Sequence, residues 1–430
     1  SPHMEAPFTP HLSRRAAGLP PNAFTDLLPL MSDPTVAVLS QGVPPSSTFP
    51  LSSATFCLSD GSSVSLDAAR MALAQRYPQF AWEELRDWLH RHVATLHRPP
   101  CAGWAVCLAA GSTSSLHILF SALADRGDCV LVEEHTFTAA LDILASAGIR
   151  AVPVALDEHG LLPASLDAQC AALAAEGLSP RFLYTIPVGQ NPTGSRLPEA
   201  RYAEVYAICR AWGLSIIEDD PYFYQQHRAD DDGDGEVPGL ARLGKSYLSV
   251  DEDGRVVRLD SFSKILAPGF RIGWVSGAPA FVRLYDAHAF ISSQWGCSLS
   301  MMLLSQLLAQ EGWFEARVRE LQRTLRARCR ALVRAAREHL GERVSFRTPP
   351  AGMFLWCTFN GTPPSTRELI AAMRQHGVCV LPSSFTSATK TDSCASVRLS
   401  FVLDDAQLDE AALRLGQLVD QVEARAGDAS

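Results

Sequence analysis

The 430-residue sequence lacks several features that mark other classes of protein. No apolar run reaches the roughly 18 residues that a membrane-spanning helix needs, and no signal peptide or internal repeat is visible. The formal net charge of -9 at pH 7 argues against nucleic acid or a membrane surface as a partner. With 47% hydrophobic and 19% charged residues, the composition is that of a soluble globular protein long enough for two domains.

Cysteine and histidine are present without the spacings that mark disulfide frameworks or zinc sites. The eleven cysteines are an odd number without a C-x-x-C pair, and the twelve histidines include no H-E-x-x-H. We therefore predict free thiols, a cytoplasmic location and no bound metal. The acidic run at 230–235 is interpreted as a solvated loop, because it lacks the glutamate that a calcium-binding loop has at position twelve.

From Trp104 onward, short apolar runs alternate with stretches of helical periodicity. Buried strands separated by helices predict an α/β fold with a mainly parallel sheet covered on both faces. One helix is expected to open at Ser112 and another helical stretch to run from about Ser298 to Leu340. The predicted strands are 106–109, 130–133, 151–154, 182–185, 214–217, 352–356, 378–381 and 397–400.

Three parts are predicted along the chain. Residues 1–50, rich in Pro and Ser, are interpreted as an expression remnant at 1–4 followed by an arm with a short helical signal at 24–28. Residues 51–310 are expected to form a large cofactor-binding domain. Residues 311–430 are expected to form a smaller α+β domain at the C-terminal end.

The run 260–274 contains one lysine, Lys264, preceded by the hydroxyls of Ser261 and Ser263. Arg271 follows in a turn marked by proline and glycine. An amine that forms a Schiff base with pyridoxal phosphate needs this setting, since hydroxyls and a guanidinium can hold the phosphate at a fixed distance from it. A solvated surface lysine is the alternative for this run taken alone.

Three further segments carry polar groups that suit the same chemistry. Asp219 follows an apolar run and precedes Tyr222, and a buried carboxylate facing a pyridine nitrogen keeps that nitrogen protonated. Asn191 lies in the turn-rich segment 187–194. Arg398 lies among apolar neighbours in 396–401, where its fork suits an incoming carboxylate.

Taken in order, these segments resemble fold-type I pyridoxal-phosphate enzymes of the aminotransferase class I/II family, in the branch of 2-aminoadipate, kynurenine and aromatic aminotransferases. The resemblance extends over about 8–422 and implies pyridoxal 5'-phosphate as cofactor, amino acids and 2-keto acids as substrates, and a homodimer with shared active sites. It rests on an ordered set of residues: Asn191, Asp219, Tyr222, Lys264, Arg271 and Arg398.

The resemblance also implies a role for each site residue. Lys264 carries the cofactor and moves the α-proton, Asp219 rather than Asp220 faces the pyridine nitrogen, and Tyr222 with Asn191 bonds the ring oxygen. Phe137 stacks on the ring. The phosphate is expected to bind Ser112 and Thr113 at a helix N-terminus. Taken without the resemblance, these two residues are equally well explained as an ordinary helix cap. The other groups expected to bind the phosphate are the side chains of Ser261, Ser263, Arg271 and, from the other subunit, Tyr77.

On the substrate side, Arg398 is expected to clamp the α-carboxylate near Gly42 and Asn191. This sequence departs from the branch by having Gly18 where relatives carry an arginine, by Gln41 beside the Gly-x-Pro turn, and by 80–82 after Tyr77. The missing arginine favours an L-amino acid with a neutral, aromatic or extended side chain.

Other reaction classes are weighed against transamination. A pyridoxal-phosphate lyase, or an enzyme of β/γ-elimination or replacement, has the same fold and cofactor anchors. The segment 261–264 also matches the S-x-x-K motif of serine acyl-enzymes, but S-D-N and K-T-G are missing. A ligand-sensing domain of a transcription regulator is disfavoured, because the arm is too short and too rich in proline for a DNA-binding helix-turn-helix.

Overall fold

The computed structural model describes residues 8–19, 27, 30–31, 33, 35–40, 42–78, 83–229, 235–389 and 391–428. The predicted remnant at 1–4, most of the helical signal at 24–28, Gln41, the segment at 80–82 and nearly all of the acidic run lie outside the described residues.

The described strands are, in chain order, β1 Ala54–Cys57, β2 Ser63–Leu66, β3 Ala105–Ala109, β4 Cys129–Glu133, β5 Arg150–Val154, β6 Leu156–Asp157, β7 Gly160–Leu161, β8 Phe182–Thr185, β9 Ser215–Asp219, β10 Val256–Ser261, β11 Gly273–Gly277, β12 Val344–Phe346, β13 Phe354–Phe359, β14 Leu381–Pro382 and β15 Ser396–Ser400. The described α-helices are α1 Arg14–Ala17, α2 Ala68–Ala74, α3 Glu83–Leu96, α4 Ser112–Leu123, α5 Thr138–Ala147, α6 Pro163–Ala175, α7 Glu199–Ala211, α8 Pro279–Ser292, α9 Ser298–Leu308, α10 Trp313–Leu340, α11 Thr366–His376 and α12 Asp405–Asp428.

The large sheet has seven strands in the order β3-β11-β10-β9-β8-β4-β5. All neighbours are parallel except β11, which is antiparallel to both β10 and β3. Every residue of β4, β8, β9, β10 and β11 is buried, as expected where helices cover both faces. The predicted α/β fold with a mainly parallel sheet is confirmed.

A second, antiparallel sheet follows with the strand order β12-β13-β15-β14. Leu355 and Cys357 of β13 lie in an apolar core between one face of this sheet and the helices α10 to α12. Side chains alternate along a strand, so Phe354, Trp356 and Arg398 lie on the other face. That face contacts the loops at the end of the large sheet, because Arg398 bonds Asn191 and Phe354 packs on Tyr222.

Helix α10 contributes to two apolar cores. Phe314 and Val318 pack in the core of the large sheet, whereas Leu325 and Leu332 pack in the core of the second sheet. The helical stretch predicted from about Ser298 to Leu340 is not a single helix, because it is interrupted between α9 and α10, where Gly312 has a φ of +73°. The predicted domain boundary at 310/311 stays a prediction.

Two predicted strand bounds in the C-terminal region are corrected. The strand expected at 352–356 begins only at Phe354, since Gly352 has a φ of +78° and its backbone packs against Gly189. Of the strand expected at 378–381, only the last residue lies in β14, where Leu381 and Pro382 pair with β15. The other strands predicted in the large sheet lie within one or two residues of their observed bounds.

Within the described residues, none of the helices combines the length and apolar character needed to cross a membrane. All eleven cysteines are free thiols. Glu338, His339 and Asp409 form the one described group whose ligand atoms could hold a metal ion; Glu338 and Asp409 are exposed, and His339 Nε2 lies 3.1 Å from Asp409 Oδ1. The predicted absence of metal stays a prediction.

Candidate active site

Most of the sequence-predicted site residues lie together at the carboxyl ends of the large-sheet strands, where ligands bind in open α/β sheets. Helix α4 opens after β3, the Asn191 turn follows β8, Asp219 ends β9 and Ser261 ends β10. The cavity between them has a volume of about 150 Å³. Its lining includes most of the predicted residues: Ser112, Thr113, Phe137, Asn191, Asp219, Tyr222, Ser261, Ser263, Lys264 and Arg271.

Asp219 has a buried carboxyl group in which one oxygen accepts a hydrogen bond and the other does not. Its Oδ2 accepts a hydrogen bond of 2.9 Å from the hydroxyl of Tyr184, while its Oδ1 is buried and has no partner among the described residues. Burial raises the pKa of Asp219 from its ordinary value of 3.8 to about 7, although the nearby hydroxyls of Tyr184 and Ser112 lower it. A cationic N–H donor in the cavity would satisfy Oδ1 and stabilise the ionised carboxylate.

Asp220 belongs to a different cluster. The fully buried guanidinium of Arg258 lies 3.0 Å from Asp220 Oδ2, 3.1 Å from Glu218 Oε1 and 2.8 Å from Asp260 Oδ1. Burial raises the pKa of Asp220 well above its ordinary value, and Arg258 opposes this rise. Asp220 is thus a partner of Arg258 inside the sheet, whereas its neighbour Asp219 lines the cavity.

Lys264 lies half-buried in a 3-10 turn that follows β10 directly. Burial lowers the pKa of its amine below 10.5, and the positive charges of Arg398 and Arg271 lower it further. Gln225 fixes the lysine backbone, since its Nε2 donates to the Lys264 carbonyl at 2.7 Å. A larger fraction of the Lys264 amine is therefore neutral and nucleophilic at a given pH than at a surface lysine.

Arg271 and the turn after β3 form a cradle beside the lysine. Arg271 Nη1 donates to Ser263 Oγ at 3.2 Å, and Nη2 donates to the carbonyl of Ala110 at 3.0 Å. Gly111 has a φ of +90°, and a Cβ there would lie 2.6 Å from Arg271 Nη2. The glycine thus permits the guanidinium to approach the first N–H groups of α4, which together suit an anion.

Arg398 extends from the second sheet to Asn191, a residue of the cavity lining. Its Nη1 donates to Asn191 Oδ1 at 2.7 Å, and Asn191 Nδ2 lies 3.5 Å from the Tyr222 hydroxyl. The guanidinium carbon lies 4.1 Å from the centroid of the Phe354 ring, while Nε is buried without a partner among the described residues. This leaves Arg398 a donor for an incoming carboxylate.

A buried network missed by the sequence reasoning positions two cavity loops. Glu133 accepts from Gln190 Nε2 at 2.8 Å and from Thr185 Oγ1 at 2.7 Å, and burial raises the pKa of Glu133 to about 7. Gln190 Nε2 also donates to the His135 carbonyl at 2.7 Å. The loop of Asn191 is therefore tied to the segment that leads into Phe137.

Tyr77 and Gly42 lie away from this cavity in the single chain, and Arg398 adjoins it through Asn191 without lining it. Tyr77 is 46% exposed and lines a separate cavity of about 450 Å³ together with Cys297. Gly42 is exposed, and a Cβ there would meet nothing within 4 Å. Gly18 lies at the end of α1, which packs against α4.

The family model for aminotransferase class I and II matches residues 65–415. The chain therefore belongs to this family. It is 31% identical over 402 residues to the mitochondrial kynurenine/alpha-aminoadipate aminotransferase of Bos taurus, covering 90% of this chain and 92% of that protein.

Solved structures agree with this assignment. Aminotransferase Aro8 from Candida albicans is similar with a TM-score of 0.86 at 25% identity, covering 97% of this chain and 100% of that chain. An alpha-aminoadipate aminotransferase from Thermus thermophilus, complexed with N-(5'-phosphopyridoxyl)-L-leucine, is similar with a TM-score of 0.68 at 26% identity, covering 82% of this chain and 85% of that chain.

These similarities confirm the predicted family and branch, the fold of type I, and the class of enzyme, a transferase of the aminotransferase type. Enzymes of this family and fold use pyridoxal phosphate. The alternative of a lyase or an elimination or replacement enzyme gains no support from them.

Proposed function

We propose that this aminotransferase binds pyridoxal 5'-phosphate in the cavity around Lys264 and transfers an amino group between an L-amino acid and a 2-keto acid. One observation carries the proposal: the amine of Lys264 and a buried carboxyl oxygen of Asp219 without a described partner line the same cavity. The catalytic residues are Lys264, Asp219 and Tyr222.

The donors and acceptors of the cavity fit this cofactor. Asp219 Oδ1 would accept from the pyridine N–H, which gives this buried oxygen a hydrogen-bond partner inside the cavity. Arg271, Ser263, Ser261 and the N-terminus of α4 at Ser112 and Thr113 would hold the phosphate. Asn191 and Tyr222 would bond the ring oxygen, and Phe137 would cover the ring.

When bound, pyridoxal phosphate supplies a carbonyl carbon that condenses with amines and a ring that withdraws electrons from the α-carbon. Lys264 Nζ takes the α-proton and returns it during transfer, a role that its lowered pKa favours by keeping more of the amine neutral. Asp219 stabilises positive charge on the ring nitrogen. Arg398, with Asn191 beside it, orients the substrate by its α-carboxylate.

The preferred substrate has a neutral, aromatic or extended side chain. Supporting this, the arm has Gly18 where the branch carries an arginine, so a distal carboxylate lacks that partner. The cavity lining also includes Ile186 and Pro221, which are uncharged.

We also propose a cytoplasmic homodimer with shared active sites. The exposed Tyr77 and Gly42 have no role in the cavity of their own chain, and supplying them to a second copy would give both residues a function. Twofold pairing is the commonest symmetry of soluble enzymes.

The test combines product analysis with labelling. The protein loaded with pyridoxal phosphate is expected to convert an amino acid and a 2-keto acid into the opposite pair in a one-to-one ratio. Ammonia release, or loss of a side-chain leaving group without such pairing, would support elimination or replacement instead. Borohydride reduction and peptide mapping should leave a pyridoxyl group on Lys264, with Lys245 as the unlabelled control; a label elsewhere contradicts the assignment.

A further inference from the structure

Gly189 and Gly352 form a close backbone contact between the loop that carries Asn191 and the segment that enters β13. Both glycines are buried and have a left-handed φ, +57° at Gly189 and +78° at Gly352. A Cβ on Gly189 would lie 2.6 Å from the Gly352 Cα, and a Cβ on Gly352 would lie 2.9 Å from the Gly189 Cα. The two segments can therefore lie this close only because neither residue has a side chain.

The loop on the Gly189 side is fixed by hydrogen bonds of its own. Gln190 donates its backbone N–H to the carbonyl of Ser195 at 2.9 Å and its side-chain amide to Glu133 at 2.8 Å. Asn191 is the next residue along the chain. We therefore expect an added Cβ at the contact to displace the segment of Gly352 rather than Asn191.

The segment on the Gly352 side leads to Arg398. Phe354 begins β13 two residues after Gly352, and the guanidinium carbon of Arg398 lies 4.1 Å from the centroid of the Phe354 ring. Phe354 also pairs with Ser400 of β15, the strand that carries Arg398. The backbone position of Gly352 thus affects the distance over which Arg398 Nη1 donates to Asn191 Oδ1, which is 2.7 Å.

The groups proposed to anchor the cofactor follow strands of the large sheet instead. Asp219 ends β9, and Lys264 and Arg271 lie between β10 and β11. One route does connect the contact to the lysine, because the Gln225 carbonyl accepts from the Gly352 N–H at 3.1 Å and the Gln225 side chain donates to the Lys264 carbonyl at 2.7 Å. A test of the contact must therefore measure the affinity for the cofactor as well as that for the substrate.

We infer that the contact between Gly189 and Gly352 is a positioning element, which holds Arg398 at the distance from Asn191 that binding of the substrate α-carboxylate requires. The inference rests on the proposed function, because it assumes that Arg398 binds this carboxylate. The two glycines act through Arg398 rather than on the reacting atoms. If the contact were widened, the guanidinium would keep its charge but would not meet the carboxylate in the geometry of two parallel hydrogen bonds.

The experiment uses the L-amino acid that the wild type transaminates with the highest kcat/KM. Gly352→Ala is expected to lower kcat/KM at least tenfold, mostly through a higher KM, and to change the dissociation constant for pyridoxal phosphate less than about threefold. Gly177→Ala is the matched control, because Gly177 has a similar φ of +74° but a Cβ there would meet nothing within 4 Å. It should keep wild-type values of all these constants.

Unchanged kinetics in Gly352→Ala would overturn the inference. A loss of affinity for pyridoxal phosphate as large as the loss of kcat/KM would also overturn it, since the contact would then act on the cofactor site. Neither outcome would affect the proposed function.

A double variant separates an action through Arg398 from general damage to the site. If the contact acts through Arg398, adding Gly352→Ala to Arg398→Ala should lower kcat/KM less than about twofold further. A further loss as large as that in the protein with Arg398 intact would contradict the inference.

If Gly352→Ala does not fold, Phe354→Leu provides the test, because it removes the ring that links the contact to Arg398. This variant should raise KM at least threefold and leave the affinity for pyridoxal phosphate unchanged, and an unchanged KM would overturn the inference. A wild type that transaminates no amino acid would overturn both the inference and the proposed function.

Discussion

At the scale of single residues, the two adjacent carboxyl groups Asp219 and Asp220 provide the clearest test of the site. We expect Asp219→Asn to lower kcat by about 100-fold or more while changing the affinity for pyridoxal phosphate by less than about tenfold. The reason is that the phosphate cradle provides most of the affinity for the cofactor, whereas Asp219 would stabilise the positive charge on the ring nitrogen. Steady-state kinetics and a cofactor titration measure the two effects.

Asp220→Asn is the matched control, because it removes the same charge one residue away. Arg258 keeps Glu218 and Asp260 as partners in this variant, so turnover should stay within about threefold of wild type. A larger loss of turnover in Asp220→Asn than in Asp219→Asn would reverse the assignment.

The raised pKa of Asp219 has a consequence for the stability of the cofactor-free protein. A carboxyl group whose pKa is 3.8 when unfolded and about 7 when folded binds its proton more tightly in the folded state. The contribution of Asp219 to stability is therefore lost as pH rises from about 4 to 7, whereas the amide of the Asp219→Asn variant does not titrate. The difference in thermal midpoint, Asp219→Asn minus wild type, should be more positive at pH 8 than at pH 5. A difference independent of pH would show that Asp219 has no raised pKa.

Sequence reasoning found the residues that stand in local motifs and missed those that act through distant partners. Lys264 and Arg271 lie in one short segment, 260–274, and Asp219 and Tyr222 lie in another, 216–222. Tyr184, in contrast, bonds a residue 35 positions away, and no local spacing reports such a pair. Arg258 could have been found, because it is an arginine inside an apolar strand run, the same signal that singled out Arg398.

At the scale of elements, the turn between β3 and α4 is expected to tolerate no side chain. Gly111→Ala would place a Cβ 2.6 Å from Arg271 Nη2 on a backbone with φ of +90°. We expect the dissociation constant for pyridoxal phosphate to rise at least tenfold. Gly269→Ala, where a Cβ would meet nothing within 4 Å, is the control and should bind as wild type. Equal affinities for pyridoxal phosphate in the two variants would show that this turn does not contribute to cofactor binding.

The strand β15 contributes the cation that would fix the substrate. Arg398→Ala should lower kcat/KM by the equivalent of roughly 2–4 kcal/mol, since a desolvated bidentate pair is lost. Arg398→Lys keeps the charge but not the fork, and we expect it to recover only part of the loss. Recovery to the wild-type value would show that charge alone suffices, and an unchanged kcat/KM in Arg398→Ala would place the carboxylate elsewhere.

Periodicity predicted most elements of the large sheet because its strands are short, apolar runs buried on both faces. It was less successful in the C-terminal region. There, apolar periodicity continued through Gly312 although the backbone turns, and the apolar run at 378–380 has no strand partner in the described structure. Pairing partners and glycine torsions depend on tertiary contacts, which a periodic pattern does not contain.

At the scale of the whole molecule, shared active sites can be tested by mixing two defective proteins. Lys264→Ala and Tyr77→Ala should each be strongly impaired alone. If Tyr77 serves the partner subunit, random exchange produces hybrid dimers with one intact site, and activity returns to about a quarter of wild type. No recovery after verified exchange would mean that Tyr77 acts in its own chain, and wild-type activity of Tyr77→Ala alone would mean that it has no role in the site. Sedimentation at the assay concentration should show a dimer.

The order of strands in the large sheet also determines how late in translation the cofactor site can form. Strand β3 pairs with β11, so Ala109 meets Gly273 across the ladder. At a translation rate of roughly 5–20 residues per second, β11 is synthesised on the order of 10–30 seconds after β3, so β3 lacks its pairing partner during that time. The cradle between Gly111 and Arg271 therefore cannot form on a nascent chain that ends before Arg271. The cofactor can bind there only after more than half of the chain has been synthesised.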